Sequence, residues 1–434
     1  MTRIVLVGAG SVEFTRNLLG DFLSYPELHD AEIVLHDIDP DRLTTAERMA
    51  RWTAEALGAQ PRIEAHLDRR TALRGADFVV DTIQVGGARA TQIDFDIPAR
   101  YGLRYTINDT INVGGVMRGL RTIPVVLGIV RDIEEVCPDA WFLNYTNPMS
   151  MLVWAVSETS QIRTVGLCHS VYWTVHAIGG YLGVDPAEID HLSGGVNHLA
   201  FLLRLERRGQ DLYPALDRVA RDGRIPDDDL VRGELYRRLG YYPTESSEHH
   251  AEYNPWFIPK ADLVERFNVP VGEYLSRVAR NLDEFAETKR RLDAGQSFEI
   301  ERSGEYAAVI VHALLCGEPA RIVGNVPNRG SLISNLDADA CVEVPCLVDG
   351  LGVQPIAIGQ LPRQCAAYIH PAVDAQGLTV RAALGRDRDA IYHAVMQDPQ
   401  VQTRLTLDET WRMTDELIAA EAEWLPEWLG GAAG

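Results

Sequence analysis

The chain lacks the features that would place it outside the cell or in a membrane. Its six cysteines (Cys137, Cys168, Cys316, Cys341, Cys346, Cys365) are scattered through 434 residues, without the paired spacing of a disulfide framework. No uninterrupted apolar run reaches the roughly 20 residues of a membrane helix. The opening "MTRIVLVGAG" lacks the layout of a signal peptide. Positive charge is in deficit: 41 Lys and Arg face 62 Asp and Glu, a formal charge of −21. That balance disfavours nucleic acid and anionic membrane as partners. Internal repeats, low-complexity segments and blocks of like charge are also missing. The expectation is a cytoplasmic globular protein with reduced thiols, long enough for two domains.

The N-terminal half alternates short β-branched apolar runs with helix-like stretches. "RIVLVGAG" (3–10), "AEIVLHDID" (31–39), "ADFVVDTIQVGG" (76–87), "AWFLNYTNP" (140–148) and "IRTVGLCHS" (162–170) read as strands. "SVEFTRNLLGDFLSY" and "PDRLTTAERMARWTAEAL" read as helices, the second with Pro40 near its start. Strand–helix alternation predicts a Rossmann-type, doubly wound parallel sheet over about 1–190. The pattern then changes, predicting an α+β domain over 191–434 that ends in a helical tail. The tail's Met, Leu and Trp stripe suits a core or a subunit interface.

"VGAGSVEF" places Gly8 and Gly10 between a strand and a helix, without the third glycine of G-x-G-x-x-G. Gly8 suits a tight turn, and Gly10 allows a pyrophosphate to approach the helix N-terminus. A tight turn alone would also explain the pair. The second strand ends at Asp37, where an acid commonly takes ribose hydroxyls and repels a 2′-phosphate, so NAD is favoured over NADP. Asp37 and Asp39 also suit plain turns. The expected cofactor contacts are Gly8, Gly10, Ser11, Val12, Asp37, Gln84 and Asn144. Asn147, in "NYTNP" at a strand end, is expected to touch the nicotinamide ribose or a substrate.

Cys168 and His169 follow another strand at the same crevice edge, and His198 lies thirty residues on in "GGVNHLAF". A thiolate and an imidazole could hold a divalent metal with an open coordination shell. Cys168 could equally be a small buried hydrophobe. A nucleophile–base pair of Cys168 and His169 is disfavoured, because adjacent strand residues point apart.

Together "GAGSVEF", "NYTNP", "GLCHSV", "GGVNHLAF" and "TESSEHHAEYNPWF" resemble glycoside hydrolase family 4. The likeness runs nearly end to end, through "RSGEYA", "GNVPN" and "VEVPCLVD". It implies a fold like lactate and malate dehydrogenases, NAD and manganese as cofactors, and a sugar substrate. "CHSV" resembles the branch acting on α-galactosides and is similar to α-galacturonidase relatives. The chemistry implied is a redox route, in which hydride leaves sugar C3, a base takes the C2 proton and the glycosidic oxygen departs from C1. Water then adds and the hydride returns, so nothing is oxidised overall. Carried over, Cys168 and His198 are the metal ligands and His169 protonates the leaving group. Tyr253, then Tyr241, is the expected base. Asn147, Asp109, Thr110, Glu248 and His249 are the expected sugar contacts. A homodimer or homotetramer is the expected assembly. A relative of the same family acting as α-galacturonidase, α-glucuronidase or α-glucosidase is the alternative, and a hydroxy-acid dehydrogenase with net turnover of NAD is the competing reading from another class.

Overall fold

The computed structural model describes residues 1–430, apart from the side chains of Val12 and Glu13. Six strands form a parallel sheet: β1 (Arg3–Val7), β2 (Glu32–His36), β3 (Arg62–His66), β4 (Phe78–Asp81), β5 (Trp141–Asn144) and β6 (Arg163–Leu167). Their spatial order is 3-2-1-4-5-6. This is the doubly wound dinucleotide order, whose ligand crevice opens where the order reverses, between β1 and β4. The strands are apolar because both faces are covered; Ile4, Val5, Leu6, Ile33, Val34, Leu35, Val79 and Val80 are all buried. The helix Pro40–Ala56 begins where Asp39 accepts from the Asp41 and Arg42 N–H groups, with Pro40 at its first turn.

The second half extends the same sheet. Its strands are β7 (Asp190–Val196), β8 (Leu199–Arg207), β9 (Gln210–Asp211), β10 (Tyr242–Pro243), β11 (Ala320–Pro327), β12 (Cys341–Asp349) and β13 (Gly352–Pro355). β11 pairs antiparallel with β6, and the sheet continues through β12, β7, β8 and β10. The turn between β7 and β8 is thereby carried to the edge at which β6 ends.

The helix Val113–Val136 is long and apolar enough to cross a membrane by length and hydropathy, which Arg118 and Arg121 mask in the sequence. Its apolar window is 78% buried within the protein, so it is a core helix. Both arginines are buried and paired, Arg121 with Asp94 (2.6 Å) and Glu421 (2.8 Å). The tail breaks into the helices Arg388–Val395, Pro399–Arg404 and Leu407–Ala420. Met413, Leu417, Ile418, Leu425 and Leu429 share one buried cluster with Val113, Val116, Met117 and Leu120, so the apolar stripe is core. All six cysteines are free thiols.

Candidate active site

The crevice between β1 and β4 is built by backbone proximity. Gly8 has φ +85°, and a Cβ there would lie 2.9 Å from the Ile83 nitrogen. Only glycine lets the two strand ends come so close. The Gly10 N–H donates to Asp37 Oδ2 (2.7 Å), and the Asp39 N–H donates to Asp37 Oδ1 (2.9 Å). Asp37 therefore fixes the glycine turn as well as facing the crevice. Ser11 caps the helix Val12–Phe22 without a side-chain hydrogen bond, leaving the first-turn N–H groups open to an anion. Val12 opens that helix, and its side chain lies outside the described residues. Gln84 is exposed and donates to Thr91 Oγ1 (3.3 Å). Asn144 ends β5, and its amide donates to the Thr146 carbonyl (2.9 Å) while its Oδ1 is buried without a partner. Asn147 Oδ1 accepts from the Met149 N–H (3.2 Å). A tight glycine cradle and an uncapped helix end fit a dinucleotide.

At the next strand end three donors converge. Cys168, His198 and Glu245 each offer a ligand atom, and these lie within 4.8 Å of one another. Both His198 (φ +62°) and Glu245 (φ +72°) occupy the left-handed region, which side-chain-bearing residues rarely adopt and which clusters at functional sites. Arg232 helps to hold Glu245 in this conformation: it donates to the Glu245 carbonyl and to Thr174 Oγ1 (2.9 Å), and it pairs with Asp229.

The imidazole tautomer of His198 follows from its partners. Thr110 Oγ1 donates to Asp109 Oδ1 (2.7 Å) and lies 2.9 Å from His198 Nδ1. With its proton spent on Asp109, the hydroxyl must accept from Nδ1–H. That leaves the Nε2 lone pair free, 3.7 Å from Glu245 Oε2. Burial pushes the Cys168 thiol up, and the neighbouring Glu245 and Glu343 carboxylates push it further. A divalent cation would reverse that balance and favour the thiolate. Cys168 and His198 fit a metal, with the Glu245 carboxylate beside them. Asp109, His198 and His249 form a second possible group. It would spend the same imidazole and a carboxylate already bonded to Thr110, so the first group is preferred.

Asp109 and Thr110 are placed from a distance. The buried Glu252 carboxylate accepts from the Thr106, Ile107 and Asn108 N–H groups (2.8, 3.0 and 2.9 Å) and from Thr106 Oγ1 (2.8 Å). Gly114 lets this loop close on the helix start, since a Cβ there would fall 2.2 Å from the Asn108 carbonyl oxygen. Arg118 lies 3.4 Å from Asp109 and donates to the Tyr274 hydroxyl (2.8 Å).

His169 faces Glu305. Its Nδ1 lies 2.9 Å from Glu305 Oε1, and Glu305 is 6% exposed. Burial lowers the imidazole pKa, but Glu305 more than offsets it, so His169 titrates above its ordinary value. Glu245 is buried against its charge, yet His198, His249, His169 and Arg232 hold it below the usual carboxylate range. Burial lowers His249 to about 3, leaving a neutral ring at physiological pH. His249 Nδ1 lies 3.0 Å from Ser246 Oγ. Glu248 Oε1 lies 3.4 Å from Arg277 Nη2.

Tyr253 is buried beside His249 (ring centroids 5.8 Å), and its hydroxyl has no partner. Burial and then Glu252 hold its pKa well above the ordinary value. Tyr241 turns its ring onto Tyr213 (centroids 6.3 Å). Glu245 and Glu305 are the residues that the sequence reading overlooks. Each stands inside a motif already singled out, "TESSEHHAEYNPWF" and "RSGEYA".

The profile of family 4 glycosyl hydrolases matches residues 3–184, and that of the family's C-terminal domain matches 193–401. The chain belongs to glycosyl hydrolase family 4. It is 41% identical over 432 residues to an α-galactosidase of Bacillus subtilis strain 168, covering 99% of this chain and 100% of that one. It is 37% identical to an α-galactosidase of Rhizobium meliloti strain 1021, over 98% of this chain and 89% of the other. The family 4 fold is shared with a 6-phospho-α-glucosidase from gut microorganisms solved with NAD and Mn2+. That match has a TM-score of 0.84 at 19% identity and covers 98% of this chain and 99% of the other. As a family 4 member the chain is a glycosidase, which settles the choice against a hydroxy-acid dehydrogenase.

Proposed function

We propose that this glycosidase hydrolyses α-galactosides with NAD and a divalent cation such as manganese. The observation that carries the reading is the convergence of Cys168, His198 and Glu245 at the edge of the sheet that also carries the glycine crevice. The two α-galactosidase relatives support galactose as the sugar. When bound, the two cofactors supply a hydride acceptor for sugar C3 and positive charge beside O2 and O3. Gly8, Gly10 and Asp37 would hold the dinucleotide, and Cys168 and His198 would hold the cation.

Glu245 is then the group placed to take the C2 proton, in preference to Tyr253 or Tyr241. Its carboxylate adjoins the ligand atoms, whereas the Tyr253 hydroxyl is buried without a partner. His169, steered by Glu305, delivers a proton to the departing oxygen. Asp109 and Thr110 orient His198, and His249 and Glu248 line the same corner.

The test is incubation with NAD, Mn2+ and aryl α-galactoside, α-glucoside and α-galacturonide under reducing conditions. Aryl release and absorbance at about 340 nm, where NADH absorbs, are followed together. Release from the galactoside without accumulating NADH is expected. Steady NADH production, or preference for another sugar, would sink the proposal.

A further inference from the structure

We infer that Trp173 is the platform on which the leaving group stacks when that group is a sugar ring. The inference rests on the α-galactosidase reading and adds the half of the substrate which that reading leaves open. His169 stands at the N-terminal cap of the helix Ser170–Leu182, and the Trp173 N–H donates to its carbonyl (3.0 Å). Residues four apart on a helix are neighbours on one face, so Trp173 stands next along the face of the turn that begins at His169. The His169 side chain is 39% exposed, so the side on which the glycosidic oxygen departs opens to solvent just there.

Trp173 is 51% exposed although it is one of the largest apolar side chains. Its orientation is nevertheless fixed. Tyr172 meets it edge-on (5.1 Å, 84°), and His176 flanks it (5.4 Å, 58°). Tyr172 in turn is pressed against Gly304, where a Cβ would lie 2.8 Å from its ring. Gly304 immediately precedes Glu305, so platform and proton donor are braced by one segment. A preset, exposed indole offers a flat apolar face at no ordering cost, which suits the C–H face of a pyranose.

The test compares methyl α-galactoside with an α-galactosyl-(1→6)-glucose disaccharide. For Trp173→Ala, the ratio of kcat/KM for disaccharide over methyl galactoside should fall about ten-fold, chiefly through KM, as expected for the loss of one stacked ring. Trp173→Phe should recover most of the ratio. An unchanged ratio would overturn the inference, whether both rates fall together or neither moves. So would dissociation of an oligomer on size-exclusion chromatography with the ratio intact, which would mark the indole as a contact between copies. If the unaltered enzyme cleaves neither substrate, the failure belongs to the α-galactosidase reading instead.

Discussion

The cofactor crevice and the metal corner adjoin each other on one sheet but are made in different ways. The crevice comes from short parallel strands and the turns that follow them, and its contacts are backbone to backbone or one acid to a nearby turn, as with Gly10 and Asp37. The corner gathers Asp109, Cys168, His198, Glu245, His249 and Glu305 from separate segments. It exists only because β11 and β12 insert between β6 and β7 and carry the β7–β8 turn to the end of β6. The crevice tolerates little change in shape, and the corner little change in chemistry.

Substitutions can break that contrast. The largest effect is expected in the corner. Glu245→Gln should lower kcat by about 10³-fold, the scale of losing a group that acts in the transition state. Manganese content by elemental analysis and NAD affinity should change little. Loss of the metal instead would make Glu245 a ligand. Cys168→Ser should show the complementary pattern, with the metal lost and NAD retained.

In the crevice, Gly8→Ala should cost about 2–4 kcal/mol of stability, because a left-handed residue with a Cβ against backbone cannot relax. Urea unfolding and NAD titration would check it, and a variant as stable and as tight as the parent would refute the close-approach argument. Glu305→Gln should lower the His169 pKa. As the donor must be protonated, the alkaline limb of kcat should move to lower pH, and poor leaving groups should suffer more than activated aryl ones. An unmoved limb would separate Glu305 from proton delivery.

The smallest effect concerns Asp81, at the end of β4. Both its carboxyl oxygens are buried without partners, and burial raises its pKa from 3.8 to about 7. A raised acid is a proton bound more tightly by the folded state. Its contribution to stability is full below pH 3.8 and is lost as pH rises through about 7. Asp81→Asn should therefore raise the melting temperature more at pH 8 than at pH 5, and an equal rise at both would contradict the assignment.

The parallel half was legible in the sequence because each βα unit is local, with an apolar run, a turn and a capped helix within some thirty residues. Cys168, His169 and His198 were legible as candidates because motifs mark them. Glu245 and Glu305 were not, since an acid in a motif looks the same whether it faces solvent or a neighbouring imidazole. The membrane-length helix misleads in the opposite direction: Arg118 and Arg121 look like surface breaks, and only their buried carboxylate partners make them core residues.

By itself, the sequence determined the doubly wound fold, the glycine cradle and the residue types at the catalytic edge, because period, turn chemistry and local spacing act over a few residues. Tertiary structure decided which groups meet: Cys168 with His198 and Glu245, His169 with Glu305, and the histidine tautomer fixed through Thr110 and Asp109. Those pairings depend on antiparallel strands joining the sheet from more than a hundred residues away in the chain. Geometry at that range is set by packing of the whole domain, which no local pattern encodes.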